Sequence, residues 1–385
     1  MKDKSFKSIA YIVLFIALAF VVSLVAAGCS KSSSNEIKIG VAGAMTGDNA
    51  IWGTSELKAA QLAVDEANAK GGVLNKKIAL VPEDDQCDAK QAASVAQMFV
   101  ANKDIVGVIG HLFSGAALAA APIYQQNSMP YISVTASNPK IPQTGDYVFQ
   151  INVNDNVASA QTADYTVNKL GAKNIAILYD NNDYGKAFKD GFAAEAQKLG
   201  AQITDVETYV GGQDQDFSVQ LTKIAAKHPD TILLAGYAKE AGLIVQQAKQ
   251  LGVKVQFVGE DGDNDPLFLK LGGAAAEGTI VTTYFDRSVQ DPVAKAFVEK
   301  YEKTYNTEAF SDTPYAYDAM NTMIDAIRRA GSTDKKAVRD AIASTNGLQG
   351  VSGSISFDQN GARPIAWNIV LQIVDGKFQY KDLIR

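Results

Sequence analysis

A continuous apolar run that leads into a helix constrains this chain more than any other feature. Residues 105–110 are apolar or glycine throughout and rich in β-branched side chains, and a helical pattern begins near Ser114. Such a run is typical of a parallel β-strand that is covered on both faces. In sheets of that kind, ligands bind beyond the carboxyl ends of the strands, where helix N-termini offer free N–H groups to an anion. Ser114 therefore has two interpretations, a helix cap or a contact with an anionic ligand.

Strand and helix patterns alternate along most of the chain. The first group comprises strands at 37–41, 77–81, 105–110 and 131–133 and helices at 57–67, 88–102 and 115–126. The second group comprises strands at 174–179, 202–209, 231–235 and 256–258 and helices at 162–170, 186–199, 217–227 and 240–251. Helices at 293–305, 314–330 and 335–344 then precede strands at 355–357 and 367–374. The alternation predicts two α/β units with parallel sheets and right-handed crossovers.

The first residues have the pattern of an export signal. A lysine-rich start precedes an apolar run at 9–27, and the run ends in the letters AAGCS. These letters resemble the cleavage box of bacterial lipoproteins, in which the cysteine becomes lipidated. We therefore predict a signal peptide at 1–28, lipidation of Cys29 and a flexible polar tether at 29–36. A transmembrane anchor is the alternative, and both interpretations place the globular part outside the cytoplasm.

Charge and composition argue against several classes of function. The net charge is −6 and no basic cluster is present, which argues against nucleic acid as a partner. The two histidines, His111 and His228, are far apart in the sequence, which argues against a zinc site. If Cys29 is lipidated, Cys87 is the remaining cysteine, so we predict no internal disulfide.

Motifs for catalysis and for cofactors are also missing from the sequence. The glycines at 40, 43 and 47 do not have dinucleotide-binding spacing, and no Ser-His-Asp or Cys-His set is evident. The aspartates at 261, 263 and 265 begin like a calcium loop, but Pro266 replaces the glycine that such a loop requires. We predict no enzyme activity, no metal and no cofactor.

Several short segments resemble one family of proteins. The segments are KIGVAGAMTG at 38–47, ANAKGG at 67–72, DDQCD at 84–88, VIGHL at 108–112, DYG at 183–185 and AGY at 235–237. Their number, order and spacing resemble the extracytoplasmic amino-acid-binding proteins of branched-chain amino-acid ABC transporters, the leucine/isoleucine/valine-binding type. The resemblance covers nearly all of the chain that follows the predicted signal.

The resemblance implies a type I periplasmic-binding fold. Such a fold has two Rossmann-like α/β lobes with parallel-sheet cores, a ligand cleft between them and a hinge that the chain crosses three times. The crossings would fall near Asn152, Tyr284 and Asp358. The implied boundaries are 37–152 with 285–357 for lobe 1, and 153–284 with 358–385 for lobe 2.

The family's ligand positions in lobe 1 transfer residue by residue. Ser114 corresponds to the serine that holds the ligand's α-carboxylate. The segment Thr135, Ala136 and Ser137 corresponds to the one whose backbone and hydroxyl share the carboxylate and the ammonium. Trp52 replaces an aromatic residue that covers the side-chain pocket, and Phe310 is expected to line that pocket. Phe113 stands where related proteins can have a cysteine, and it is included in the predicted site.

Lobe 2 would supply aromatic and acidic contacts. Tyr184 and Tyr237 correspond to family contacts with the ligand. Asp261 aligns with the family's ammonium-binding glutamate, but Glu260 stands beside it, so either acid is a candidate. From the residues alone, Asp261 also fits a turn position next to Gly262, and Tyr237 also fits a core position.

These observations predict a lipid-anchored solute-binding protein that captures a small amino acid, branched-chain or aliphatic, and delivers it to an ABC permease. The predicted partners are the amino acid, the permease subunits and the membrane, and the protein is expected to be a monomer. One alternative is the same fold with another solute, such as an aromatic acid, a short amide or a sugar-like compound. The other is a sensor ectodomain or an exported enzyme.

Overall fold

Two β-sheets organise the part of the chain that this computed structural model describes, residues 35–364 and 368–384. The predicted signal peptide, Cys29 and most of the predicted tether lie outside the described residues. Within the described residues, the first sheet has five strands in the order β2-β1-β3-β4-β5. Its strands are β1 (Glu36–Gly43), β2 (Lys77–Asp84), β3 (Ile105–Gly110), β4 (Tyr131–Ser133) and β5 (Val148–Gln150).

Strand β3 lies at the centre of this sheet, and each of its residues is buried. It pairs in parallel with β1 on one side and with β4 on the other. Val106 and Ile109 pack into the core on one face, and Ile105 and Val108 pack into the core on the other. Burial on both faces explains why this segment is an unbroken apolar run rather than an alternating one.

The second sheet has seven strands within the described residues, in the order β14-β13-β10-β9-β8-β6-β7. Its first five strands along the chain are β6 (Asn174–Asp180), β7 (Gln202–Tyr209), β8 (Thr231–Ala235), β9 (Gln256–Gly259) and β10 (Ile280–Thr283). A small hairpin of β11 (Leu348–Gly350) and β12 (Gly353–Ile355) precedes β13 (Asn368–Val374) and β14 (Lys377–Ile384). Strands β6 to β10 are parallel, whereas β13 runs antiparallel to β10 and to β14. The second core is therefore a mixed sheet with a parallel centre.

Helices cover both sheets. They are α1 (Ala50–Ala69), α2 (Ala89–Ala101), α3 (Ser114–Gln126), α4 (Asp155–Asp164), α5 (Asp183–Lys198), α6 (Ser218–Ala225), α7 (Ala238–Gln250), α8 (Pro266–Gly272), α9 (Pro292–Tyr305), α10 (Thr313–Ala330) and α11 (Lys335–Ala343). A π-helical segment, Tyr165–Lys169, continues α4. Among the described residues, none of these helices is both long enough and apolar enough to cross a bilayer.

The predicted α/β architecture is confirmed, and most differences lie in short elements. Strands β5, β10 and β11 and the eight-residue strand β14 were not predicted, and α4 begins at Asp155 rather than at residue 162. The strand predicted at 355–357 instead ends at Ile355. Segments of three or four residues are too short to show a periodicity, so tertiary pairing decides whether they become strands. Residue 367, the predicted start of the last large strand, lies outside the described residues.

Polar contacts tie the segments between the two sheets together. The Gln150 N–H donates to the Gly361 carbonyl over 2.9 Å, and the Arg363 N–H donates to the Gln150 carbonyl over 3.2 Å. The buried Arg363 guanidinium also donates to the Ile151 carbonyl over 3.4 Å and to the Ser352 Oγ over 2.9 Å. These contacts join the first and third predicted crossings. The lobe boundaries themselves remain a prediction.

Asp318 anchors the hairpin segment to α10, and its loss should destabilise the fold. Its buried carboxylate accepts from three donors, the Val351 N–H, the Ser352 N–H and the Ser352 hydroxyl, at 2.6–2.8 Å. We expect Asp318→Ala to lower the free energy of unfolding by about 3 kcal/mol, because buried donors would lose their acceptor. Urea unfolding monitored by tryptophan fluorescence would measure the change.

Asp325→Ala is the matched control on the same helix. Asp325 accepts from the Arg329 side chain over 2.6 Å at a partly exposed position. Surface pairs of this type contribute less than about 1 kcal/mol. Equal losses of stability in the two variants would contradict the anchoring role of Asp318.

Candidate functional site

The turn between β3 and α3 positions Ser114. Gly110 has φ = +118°, and a Cβ there would lie 2.0 Å from the Ala42 carbonyl oxygen, so only glycine allows β3 to pass this close to β1. His111 follows in the left-handed region with φ = +48° and is fully buried. The turn thus ends at Ser114, the first residue of α3, which lies beyond the carboxyl end of the central strand. Ser114 is buried, with 1% of its surface exposed.

His111 has a structural role in this turn. Its Nδ1 lies 2.8 Å from the Asp85 carboxylate, and its Nε2 lies 2.7 Å from the Tyr124 hydroxyl. Asp85 and Tyr124 are themselves fully buried. The ring is therefore held on both sides by hydrogen bonds, as expected of a residue that orients the turn rather than one that reacts with a substrate.

The loop after β4 lies against the N-terminus of α3. The Thr135 hydroxyl donates to the Leu112 carbonyl over 3.0 Å, and the Asn138 N–H donates to the Ser114 Oγ over 3.2 Å. The Ser114 oxygen accepts the hydrogen bond from the Asn138 N–H, so the hydroxyl hydrogen of Ser114 is left to point toward a ligand. Hydroxyls and N–H groups from two neighbouring strand ends therefore converge, which suits an anion.

Acidic and aromatic side chains approach from the second sheet. The Tyr184 hydroxyl donates to Asp261 Oδ1 over 2.6 Å, and the Gly262 N–H donates to the Tyr184 oxygen over 3.3 Å. A Cβ at Gly262 would lie 2.3 Å from the Gly236 carbonyl oxygen, so the backbone after β8 and the one after β9 are in close contact. Tyr184, Asp261 and Gly262 thus form one hydrogen-bonded unit.

Burial changes the ionisation of the acidic pair after β9. Desolvation raises the pKa of Asp261 to about 6. Burial, followed by the neighbouring carboxylates of Asp261 and Asp263, raises the pKa of Glu260 well above its usual range. Asp261 is therefore the acid of this pair that loses its proton more readily.

A row of aromatic rings connects the two sides of the site. The Phe310 and Trp52 centroids lie 4.6 Å apart, and Phe113 stacks on Tyr237 with centroids 4.5 Å apart and an interplanar angle of 12°. Tyr237 in turn stacks on Tyr184 at 5.2 Å. Trp52 and Phe113 follow strands of the first sheet, whereas both tyrosines follow strands of the second. An apolar wall therefore runs beside the polar groups.

A cavity of about 20 Å³ brings the predicted site residues together. Its lining comprises Trp52, Leu112, Phe113, Ser114, Thr135, Ala136, Ser137, Tyr184, Tyr237, Asp261 and Gly262. A neighbouring cavity of about 320 Å³ shares four of these lining residues, Trp52, Phe113, Tyr237 and Gly262. Two predicted residues do not line the smaller cavity, because Glu260 is buried behind Asp261 and Phe310 packs against Trp52.

The sequence analysis missed Asp155 at the start of α4. Its N–H donates to the Ser137 carbonyl over 2.8 Å, and its carboxylate is fully buried. Burial raises the pKa of Asp155 well above its usual range, although a hydrogen bond with the Ser137 side chain lowers it in part. In the sequence, an aspartate after Asn154 is indistinguishable from an ordinary first-turn helix residue.

Contacts at the rim also join the two sides. The Lys239 ammonium lies 2.8 Å from the Asp48 carboxylate, and the Asn138 amide donates to the Asp183 carbonyl over 2.8 Å. Within residues 35–364 and 368–384, no group of three or more His, Cys, Asp or Glu side chains converges to hold a metal ion. What the site offers is a polar anion-binding end, an acidic end and an aromatic wall.

Comparison with known proteins agrees with this architecture. The family model described as periplasmic binding protein matches residues 36–377. The leucine-specific-binding protein of Salmonella typhimurium is 31% identical over 348 residues, which cover 90% of this chain and 93% of that protein. The Leu/Ile/Val-binding protein homolog 1 of Brucella suis is 29% identical over 370 residues, covering 95% of this chain and 97% of that protein.

Solved structures show the same similarity. The leucine binding protein LivK of Thermotoga maritima superposes with a TM-score of 0.85 at 32% identity, covering 90% of this chain and 98% of that one. The branched-chain amino acid transporter substrate binding protein LivJ of Streptococcus pneumoniae, solved in complex with isoleucine, has a TM-score of 0.84 at 32% identity. That comparison covers 91% of this chain and 99% of the other.

Proposed function

The chain belongs to the periplasmic binding protein family, and from this premise we propose that it captures a branched-chain or other aliphatic amino acid for an ABC importer. The observation that carries the proposal is the pairing of opposite polarities in one buried site. Ser114 stands at a helix N-terminus on one side, and Asp261 stands on the other. A free amino acid is a zwitterion, so its two charged ends require this combination.

The ligand carboxylate would lie at the N-terminus of α3. Free N–H groups of a first helical turn and a serine hydroxyl are both donors, and the helix dipole adds a favourable potential for an anion. Ser137, from the loop after β4, would supply a second hydroxyl. Charge-assisted hydrogen bonds of this type are roughly twice as strong as neutral ones.

The ligand ammonium would lie against Asp261. This carboxylate lines the cavity, and the hydroxyl of Tyr184 holds it in place. Glu260 is completely buried behind it and does not line the cavity. We therefore assign the ammonium contact to Asp261, while Asp155 adds a further buried carboxyl on the same side.

The aromatic wall would receive the ligand side chain. Burying an aliphatic side chain contributes roughly 1.5–3 kcal/mol. Micromolar binding requires about 8 kcal/mol, so most of the affinity must come from the charged ends in a site from which water is excluded. Trp52, Phe113 and Tyr237 exclude water from that site as well as contacting the side chain.

Because the proposed contacts come from both sheets, the ligand would favour the closed arrangement of the lobes. A ligand shifts such an equilibrium only by the difference between its affinities for the two states. The groups that contact it from both sides, Ser114 and Asp261, supply that difference. The closed protein would then present a surface to the permease, and the binding protein itself would catalyse no reaction.

A thermal-shift screen tests the proposed ligand class. We expect leucine, isoleucine or valine to raise the melting temperature, because a ligand at 100 times its Kd stabilises the native state by about 2.7 kcal/mol. The screen should include all twenty amino acids, benzoate, short amides and simple sugars, and calorimetry should follow for each hit. A shift with aromatic acids or sugars and none with amino acids would contradict the proposal. Analysis of the hits for chemical change would reveal an enzyme.

Replacing the two neighbouring acids separates their roles. We expect Asp261→Asn to weaken amino-acid binding about tenfold to a hundredfold, because a charged hydrogen bond is lost. Glu260→Gln should keep the wild-type affinity, because glutamine resembles the protonated acid. The pKa of Asp261 is about 6, and only its ionised form attracts the ammonium. Wild-type affinity should therefore fall as the pH drops below 6, by about tenfold per pH unit.

Calorimetric titrations at pH 5, 6, 7 and 8 would measure these effects. The decline at low pH should persist in Glu260→Gln and disappear in Asp261→Asn. If Glu260→Gln lost affinity and Asp261→Asn did not, the ammonium contact would belong to Glu260. A ligand without an ammonium group would bind both variants as tightly as it binds the wild type.

We further propose that Cys29 carries a lipid that holds the protein at the outer face of the cell membrane. The support is the sequence pattern alone, an apolar signal followed by AAGCS. Cys29→Ser should release the protein from the membrane fraction or leave the precursor uncleaved, and wild-type protein should incorporate labelled palmitate. Soluble, unlabelled wild-type protein would contradict lipid anchoring. A Cys87→Ser variant should behave like the wild type.

A further inference from the structure

The loop Thr135–Asn138 is held by the chain segment that follows it. The Asn152 amide donates to the Thr135 carbonyl over 2.7 Å. The Gln150 amide donates to the Ala136 carbonyl over 2.8 Å and to the Asn138 carbonyl over 3.2 Å. The Asp155 N–H donates to the Ser137 carbonyl over 2.8 Å. Each carbonyl of the loop therefore accepts a hydrogen bond from the segment Gln150–Asp155.

The segment that carries the two amide side chains is itself anchored. Gln150 and Asn152 are both fully buried. The Gln150 backbone pairs with Gly361 and Arg363 over 2.9 and 3.2 Å, and the Asn152 Oδ1 accepts from the Val153 N–H over 2.8 Å. This segment is the first predicted crossing between the lobes, and residues 361–363 follow the third. The loop is thus hydrogen-bonded to the hinge.

The carbonyl contacts determine what the loop can offer a ligand. In a trans peptide the C=O of one residue and the N–H of the next point in opposite directions. Carbonyls that face the crossing segment therefore turn the N–H groups of Ala136, Ser137 and Asn138 away from it. The Asn138 N–H shows this orientation directly, because it donates to the Ser114 Oγ over 3.2 Å.

We propose that Gln150 and Asn152 are positioning residues for recognition of the ligand carboxylate. Neither residue lines the proposed cavity. Both orient the backbone N–H donors of Ala136 and Ser137, which do line it. The same contacts couple this end of the site to the hinge. The inference rests on the proposed function, because it requires a ligand with a carboxylate at Ser114.

A purely structural role is the competing explanation, since buried backbone carbonyls need donors in any protein. The two explanations differ in selectivity. Loss of a merely structural hydrogen bond would weaken binding of an amino acid and of its amide by the same factor. Loss of a positioning contact would weaken binding of the amino acid more than binding of its amide, because hydrogen bonds to a charged carboxylate are stronger than those to a neutral amide carbonyl.

The test compares the purified wild-type protein with Gln150→Met, which keeps the length of the side chain and removes its donors. Calorimetry at one fixed pH would measure the affinities for leucine, isoleucine or valine, whichever binds best, and for its amide. We expect the preference of the wild type for the acid over the amide to fall about tenfold in the variant. The Ser114→Ala variant should show a similar loss of the preference for the acid over the amide.

Asn68→Ala is the matched control. The Asn68 amide donates to the Ile78 carbonyl over 2.9 Å and its oxygen accepts from the Ile78 N–H over 2.8 Å, at the edge of the sheet opposite β5. This variant should lose stability but keep the wild-type preference for the acid. If Gln150→Met does not fold, Asn152→Ala, which removes one contact to the loop, applies the same test.

The outcomes separate this inference from the proposed function. A wild-type protein that binds no amino acid would overturn both. The wild type could prefer the acid while Gln150→Met and Asn152→Ala prefer it equally strongly. That result would overturn the positioning role and leave the proposed function intact. A reduced preference in those variants, with an unchanged preference in Asn68→Ala, would support it.

Discussion

The proposed site depends on one carboxylate, Asp261, being ionised although it is buried. Desolvation disfavours its charged form, and hydrogen bonds to the carboxylate, first of all the one with Glu260, offset only part of that cost. An ammonium group placed against Asp261 would remove the remaining penalty. Burial raises the pKa of both surrounding carboxyls, Glu260 and Asp155, and so favours their neutral forms. A site built in this way would favour ligands with one positive charge.

The second feature is that groups from both sheets line the site. The proposed carboxylate-binding groups follow strands of the first sheet, and Asp261 follows a strand of the second. The direct contacts between the two sides of the site are weaker than the contacts that a charged ligand would make with both sides. The exposed pair of Asp48 and Lys239 contributes less than about 1 kcal/mol, and an aromatic pair such as Phe113 and Tyr237 contributes about 0.5–1.5 kcal/mol. Under the proposed function, a zwitterionic ligand would therefore contribute more to closure than these direct contacts do.

Sequence patterns were sufficient for the parts of the site that follow long, regular elements. Ser114 could be located because β3 is an unbroken apolar run with a glycine-marked end, and resemblance to a family pointed to Asp261, Tyr184 and Tyr237. Asp155 and Gln150 were not singled out, and Asn152 was named only as the position of a crossing between the lobes. Each is a common polar residue next to a short strand or a helix start, where a surface role is the ordinary expectation.

The sequence alone determined the α/β class, the order of the main strands and helices, and the residue types that could bind a zwitterion. These follow from local physics, since periodic burial and glycine turns are encoded within about a dozen neighbouring residues. Only the tertiary structure decided that Asp261 rather than Glu260 lines the cavity, and that the buried amides of Gln150 and Asn152 hold the loop that begins at Thr135. The first depends on which of two adjacent side chains points inward. The second depends on contacts between segments that are separated in the sequence. Neither property is visible in a linear pattern, because burial and hydrogen-bond partners are set by the whole packed chain.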